Sequence, residues 1–171
     1  VIMNGKNHTE VIDLVNFARE KEIDISFIEE MPLGNIETHK RKETLMTSAE
    51  LRDLISFHYK LEPLGEPGKL DGPSRYYVMK DSSSKIGFIS PHSNNFCHLC
   101  NRVRVTAEGR LLLCLGHENS IDLRAIIRDK SADFDDLKQA IVTGLTNKPL
   151  RHEFREDQEP TVLRFMNATG G

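Results

Sequence analysis

No stretch of this chain is apolar for the roughly 20 residues that a membrane-crossing helix needs, and no lipidation motif is present, so membrane insertion is not expected. Basic excess is missing too. Its 23 Lys and Arg stand against 26 Asp and Glu, a formal net charge of -3, and a nucleic-acid phosphate backbone gains nothing from such a balance. Nothing reads as a secretory signal, and cysteine is scarce, with three in 171 residues. An odd number of thiols without an export signal is a poor disulfide framework, and the expected setting is a reducing compartment, the cytoplasm. What remains is ordinary: 38% hydrophobic and 29% charged residues suffice for one good core or a little more, as expected of a portion of a soluble enzyme.

The three cysteines are the informative feature, because they fall together as Cys97-His-Leu-Cys100 and, after thirteen residues, Cys114. Thiolates are soft ligands that select zinc, copper(I) or iron-sulfur clusters, and a Cys-x-x-Cys turn lets two of them reach one centre. Two fillings compete. A structural zinc wants four protein ligands, the fourth coming from His117, His98 or His92. A 4Fe-4S cluster on three thiolates instead keeps one iron open to a substrate. Immediately beyond Cys100 the chain reads Asn101-Arg-Val-Arg-Val-Thr106, an alternating strand that puts Arg102 and Arg104 on one side. Two guanidinium forks beside an open metal suit a phosphate-bearing ligand and favour the cluster. The competing reading leaves them as solvated strand charges.

Local patterning predicts the elements around this segment. The chain opens at Val1-Ile-Met3 as if inside a strand and turns at Asn4-Gly5. Val11, Leu14, Val15 and Ala18 then recur at helical spacing, predicting a helix from near Thr9 to near Lys21. Ile23, Ile25 and Phe27 alternate as a second strand. This strand-helix-strand order predicts a βαβ unit of a parallel sheet whose other strands lie upstream of Val1 or in another polypeptide. Thr47-Ser-Ala-Glu50 is a capping box opening a helix from about Ser48 to Tyr59. Pro63, Pro67 and Pro73 with interspersed glycines predict a linker over 63–74. Tyr76–Met79 and Lys85–Ile89 read as antiparallel strands. Arg102–Ala107 and Arg110–Leu115 read as a hairpin turning at Glu108-Gly109, which folds Cys114 back toward Cys100. Leu123–Arg128 and Asp133–Leu145 are predicted helices, the second with a core-facing stripe of Phe134, Leu137, Ile141 and Leu145.

Together the runs Phe88-Ile-Ser-Pro91 and Asn95-Phe-Cys-His-Leu-Cys-Asn-Arg-Val-Arg-Val-Thr-Ala-Glu-Gly-Arg-Leu-Leu-Leu-Cys-Leu115 resemble the second-cluster segment of the GTP 3',8-cyclase family of radical S-adenosylmethionine (SAM) enzymes, which opens molybdenum-cofactor biosynthesis. Val1–Asn7, Ser26–Gly34 and the closing Gly170-Gly171 are similar to further parts of that family. The resemblance implies an α/β fold: the end of an incomplete TIM-type (β/α) barrel over 1–62, the linker 63–74, and an α+β cluster domain over 75–171. It implies that Cys97, Cys100 and Cys114 hold a 4Fe-4S cluster whose open iron meets the purine of GTP. Arg102, Val103 and Arg104 form the GTP-contacting stretch, Met31 contacts SAM, and the Gly170-Gly171 tail enters the active site. The implied partners are GTP, SAM and the missing N-terminal barrel half, and a homodimer is compatible with the resemblance. Radical initiation in this family needs a Cys-x-x-x-Cys-x-x-Cys trio holding another 4Fe-4S cluster, which this sequence does not contain. No catalytic residue is therefore assigned here, and the chain alone is expected to be inactive. The alternatives are a non-catalytic zinc- or cluster-binding module and a structural zinc domain without a GTP role.

Overall fold

In the computed structural model, which describes residues 1–34, 39–65, 72–152, 154 and 162–169, the first apolar stripe does what its spacing requires. After a 3-10 turn (His8–Glu10), helix α1 (Val11–Glu20) buries Val11, Val15 and Ala18. Strand β1 (Ile25–Ile28) sends Phe27 inward. A single turn, α2 (Arg41–Thr44), precedes α3 (Ser48–Ser56). The predicted capping box of α3 is present, with Thr47 accepting from the Glu50 N–H and Glu50 accepting from the Thr47 N–H at 2.8 Å. Strands β2 (Leu61–Pro63), β3 (Arg75–Met79) and β4 (Lys85–Ile89) complete a mixed sheet in the order β1-β4-β3-β2. Its β1 and β4 run parallel, with Ile25 opposite Ile86 and Phe27 opposite Phe88, and the other pairs are antiparallel. Ile2, Val11, Val15, Phe27, Leu51, Ile55, Met79, Ile86 and Phe88 form its core.

Two sequence expectations are corrected here. Val1–Met3 is not a sheet partner of β1: Met3 makes only an isolated bridge to Leu45, and the parallel neighbour of β1 is β4. The linker expected at 63–74, of which 66–71 lie outside the described residues, does not separate the compact units either: Pro63 lies within β2 and the strands beyond join the same sheet as β1. The chain divides instead into Val1–Met31 with Thr38–Phe96, and Pro32–Glu37 with Cys97–Gly171. Proline and glycine announce a break in regular structure. They do not tell whether the chain leaves the sheet or returns to it.

The second unit holds a three-stranded antiparallel sheet, β5 (Arg104–Val105), β6 (Arg110–Leu112) and β7 (Ser120–Asp122), with helices α4 (Leu123–Arg128) and α5 (Phe134–Thr146). Gly109 makes the β5-β6 turn at φ +80°, and its carbonyl accepts the Leu123 and Arg124 N–H groups at 3.0 and 3.1 Å. A side chain there would strain the backbone and press on Arg124 Cβ. Asp133 and Asp136 form a reciprocal cap on α5. Leu111, Leu113 and Leu123 are the buried core, with Ile121, Leu137 and Ile141 packed against them. Of the predicted α5 stripe, Leu137 and Ile141 face this core, whereas Phe134 and Leu145 are exposed. Among the described residues no helix is long and apolar enough to cross a membrane.

Candidate functional site

At the end of β1, Glu29 is a fully buried carboxylate. Its Oε1 accepts the Ser48 N–H at the start of α3 (2.8 Å) and the Ser93 hydroxyl. Its Oε2 accepts the N–H groups of His92 (3.0 Å) and Ser93 (3.1 Å). Burial pushes this carboxyl up, but the Ser93 hydroxyl and the three N–H groups outweigh it and hold Glu29 below its ordinary range. One side chain thus ties the strand end, the start of α3 and the loop after β4 together. Glu30 beside it receives His39 Nε2 at 2.5 Å and the Thr44 hydroxyl at 3.2 Å, with Arg41 Nε at 3.3 Å. Met31, the expected SAM contact, follows this pair and is half-buried.

In the second unit, Cys97–Leu99 forms a 3-10 turn closed by the Cys100 N–H on the Cys97 carbonyl at 3.0 Å. This turn is the local reason that a Cys-x-x-Cys spacing presents two thiols together. Cys97 Sγ accepts the His152 N–H at 3.4 Å. Cys114 lies just past the end of β6 and is half-buried, like Cys97 and Cys100, and none of the three is in a disulfide. Burial pushes the Cys114 thiol up; the Gly116 N–H and the Lys148 charge pull it down, and charge on Cys97 and Cys100 pushes it up again, leaving it raised. Charge on Cys97 and Cys100 is thus felt at Cys114.

The same region departs from expectation in three respects. Strand β5 starts only at Arg104, so Arg102 and Val103 lie in the exposed segment leading into it, and the strand alternation invoked to align the two arginines is absent at Arg102. Two of the candidate zinc histidines have other occupations. His117 Nε2 is 3.0 Å from the Arg151 carbonyl, and His92 Nε2 is 2.8 Å from the Glu30 carbonyl, each an acceptor that calls for a proton on that nitrogen. His98 is exposed on the cysteine turn. Among the described residues no group of three or more His, Cys, Asp and Glu side chains is arranged to hold a metal ion. The donor chemistry nevertheless suits an iron-sulfur cluster: three cysteines outside any disulfide, with backbone N–H groups donating to the sulfurs of Cys97 and Cys114. Gly170 and Gly171 lie outside the described residues.

Sequence reasoning missed the groups that surround Cys114. Lys148 Nζ donates to the Leu113 carbonyl at 2.6 Å, and Arg164 reaches the carbonyls of Cys114 and Leu115. Gly116 is buried beneath His152, whose Cβ would stand 2.6 Å from any side-chain carbon added there. No spacing signal links these residues to the cysteines, since they are brought in from 35 to 50 positions away.

The family model described as Molybdenum Cofactor Synthesis C matches residues 23–154. GTP 3',8-cyclase of Marinobacter nauticus is 53% identical over 171 residues, covering 100% of this chain and 51% of the relative. GTP 3',8-cyclase 2 of Pseudomonas aeruginosa is 54% identical over 172 residues with the same coverage, and GTP 3',8-cyclase of Saccharophagus degradans is 52% identical over 171. The chain spans about half the length of the curated relatives it matches.

Proposed function

Because the chain belongs to the Molybdenum Cofactor Synthesis C family, we propose that it is the C-terminal, substrate-holding portion of a GTP 3',8-cyclase. On this proposal the complete enzyme converts GTP to (8S)-3',8-cyclo-7,8-dihydroguanosine 5'-triphosphate by radical SAM chemistry, in the first step of molybdopterin biosynthesis. The observation that carries the reading is the spacing of Cys97, Cys100 and Cys114 in a chain with no fourth thiol, within a match to GTP 3',8-cyclases that covers the whole chain. Those three residues would hold a 4Fe-4S cluster, which supplies an iron free of protein thiolate for the purine of GTP. The remaining work falls to the chain itself. Arg104, from the first position of β5, and Arg102, from the segment before it, offer guanidinium forks to the triphosphate. Val103 between them has an exposed apolar side chain for the nucleoside.

Met31 as a SAM contact and the Gly170-Gly171 tail in the active site complete the assignment, both on family resemblance. The reading of residues 1–62 as the end of an incomplete TIM-type barrel, and of Cys97–Cys114 as the cluster segment of the following domain, rests likewise on family resemblance. Radical initiation, with its own 4Fe-4S cluster, is assigned to the part of the relatives that this chain does not span, and the chain alone is inactive as a cyclase. A homodimer and a cytoplasmic setting accord with this reading.

Anaerobic reconstitution with iron and sulfide, followed by metal analysis and electron paramagnetic resonance, tests it. About four irons per chain are expected, with matching sulfide, and Cys97→Ser, Cys100→Ser or Cys114→Ser should each lower that content sharply. Stoichiometric zinc without sulfide would overturn the cluster in favour of a zinc module. In that case His117→Ala, with Nδ1 still available as a ligand, should lower the zinc content.

A further inference from the structure

The loop that carries Cys114 is gripped by cations from two distant parts of the second unit. Arg164 is only 13% exposed. Its Nη2 donates to the carbonyl oxygens of Leu115 (3.1 Å), Cys114 (3.4 Å) and His117, while Nη1 pairs with the Glu118 carboxylate. The Leu163 N–H donates to the same carboxylate at 3.0 Å. Before the cysteine, Lys148 Nζ donates to the Leu113 carbonyl at 2.6 Å. From Leu113 to His117, therefore, every carbonyl except that of Gly116 receives a bond from a cationic side chain. Backbone carbonyls of a short surface connection are ordinarily satisfied by water. Charge-assisted bonds from half-buried cations cost more to arrange and hold more firmly. Among the described residues, Arg164 Nε is buried with no hydrogen-bond partner, so the guanidinium is aimed at the loop even at the expense of one of its own donors.

We infer that Arg164 and Lys148 are positioning residues that clasp the Cys114 loop from both sides, fixing the Cys114 thiol where it can remain a ligand. The inference rests on the reading of Cys114 as a metal ligand and adds what keeps it one. Release of a cluster begins with one thiolate leaving, and a loop whose carbonyls are pinned on both sides of that thiolate resists the movement. The Lys148 charge also favours negative charge on the Cys114 sulfur. The chain just before Arg164 is held without the guanidinium: Val162 bridges Leu33 in parallel and accepts the Gly34 N–H at 2.9 Å. That docking makes the side chain separable from the fold by mutation.

The test uses the whole chain, reconstituted anaerobically, with iron release to a ferrous chelator followed over time and thermal unfolding of each apoprotein measured alongside. Arg164→Ala should lose iron about ten- to a hundredfold faster than wild type, the equivalent of one lost charge-assisted bond. Millimolar methylguanidinium should restore slow release in that variant, and methylammonium should not, since only the former carries the planar fork. Lys148→Met should fall between wild type and Arg164→Ala. Release from Arg164→Ala at the wild-type rate, or equal rates with and without methylguanidinium, would overturn the inference. Should Arg164→Ala not fold, Arg164→Lys decides: faster release with an unchanged apoprotein midpoint supports the clasp, and wild-type release sinks it. A wild-type chain that takes up no iron and sulfide removes the cluster reading and the clasp together. Loaded wild type beside an equally retentive Arg164→Ala removes the clasp alone.

Discussion

Glu29 shows how much one side chain can organise. Three backbone N–H groups and a hydroxyl converge on a carboxylate that has no solvent exposure. Glu29→Gln should cost about 3 kcal/mol at neutral pH, because either orientation of the amide turns an NH2 toward N–H donors. The pH dependence follows from the sign of the shift. A carboxyl held below its ordinary value near 4.5 contributes in full above that value, and its contribution is lost as pH falls from there through the lower folded value. Denaturant unfolding of wild type and Glu29→Gln should therefore differ most near neutrality and converge in acid; a gap independent of pH would contradict this account. The arginines belong to the same scale. Arg102→Ala or Arg104→Ala should weaken GTP binding by roughly 1.5–3 kcal/mol, about one to two decades, while leaving iron content unchanged. Nucleotide titration into the loaded chain, with the radical-generating half added if binding is weak, checks it. Affinities within about twofold of wild type would return both residues to the class of solvated surface charges.

Among the elements, those whose determinants are local were legible in the sequence, as α3 illustrates. Its cap, Thr47 with Glu50, and its buried Leu51 and Ile55 are a few residues apart. Thr47→Ala should destabilise the first unit by about 1 kcal/mol, seen as a lower midpoint in circular dichroism, with Thr47→Ser close to wild type. Equal midpoints for Thr47→Ala and wild type would show that tertiary packing alone sets the start of α3. The strands were less legible. The periodicity of Arg102 to Thr106 matches a strand, yet β5 is only Arg104–Val105, paired with Leu111 and Leu112. Ladder hydrogen bonds, absent from any single-segment pattern, decide where a strand begins. The α5 stripe failed at Phe134 and Leu145 for a related reason: spacing selects a helix face but not the extent of the core it meets, and here that core ends at Leu137 and Ile141.

On the scale of the molecule, the two units differ in what holds them. Among the described residues, the first buries a core drawn from Ile2, α1, α3, β1, β3 and β4; the main buried cluster of the second is Leu111, Leu113 and Leu123. A unit with so thin an apolar centre gains proportionately more from ligands that bind only its folded form. Cluster loading should slow amide exchange in Arg110–Leu112 and Leu123–Arg128 by at least about tenfold and leave α1 and α3 unchanged. Uniform protection across both units, or none, would count against a cluster seated on these three cysteines.

The sequence by itself determined the helices and the chemistry of the donors: three soft thiols with no fourth, two neighbouring arginines, and caps written within a few residues of the helices they start. These depend on residue type and short spacing, which a linear chain displays. Only the tertiary structure decided that β4 is the parallel partner of β1, that the unit boundary falls at Phe96 and not in a proline-rich linker, and that His117 turns to the Arg151 carbonyl. It alone brought Lys148 and Arg164 onto the carbonyls around Cys114. Long-range hydrogen bonds join groups whose separation along the chain carries no signal, and they form only when the packing of the whole unit supplies both partners at once.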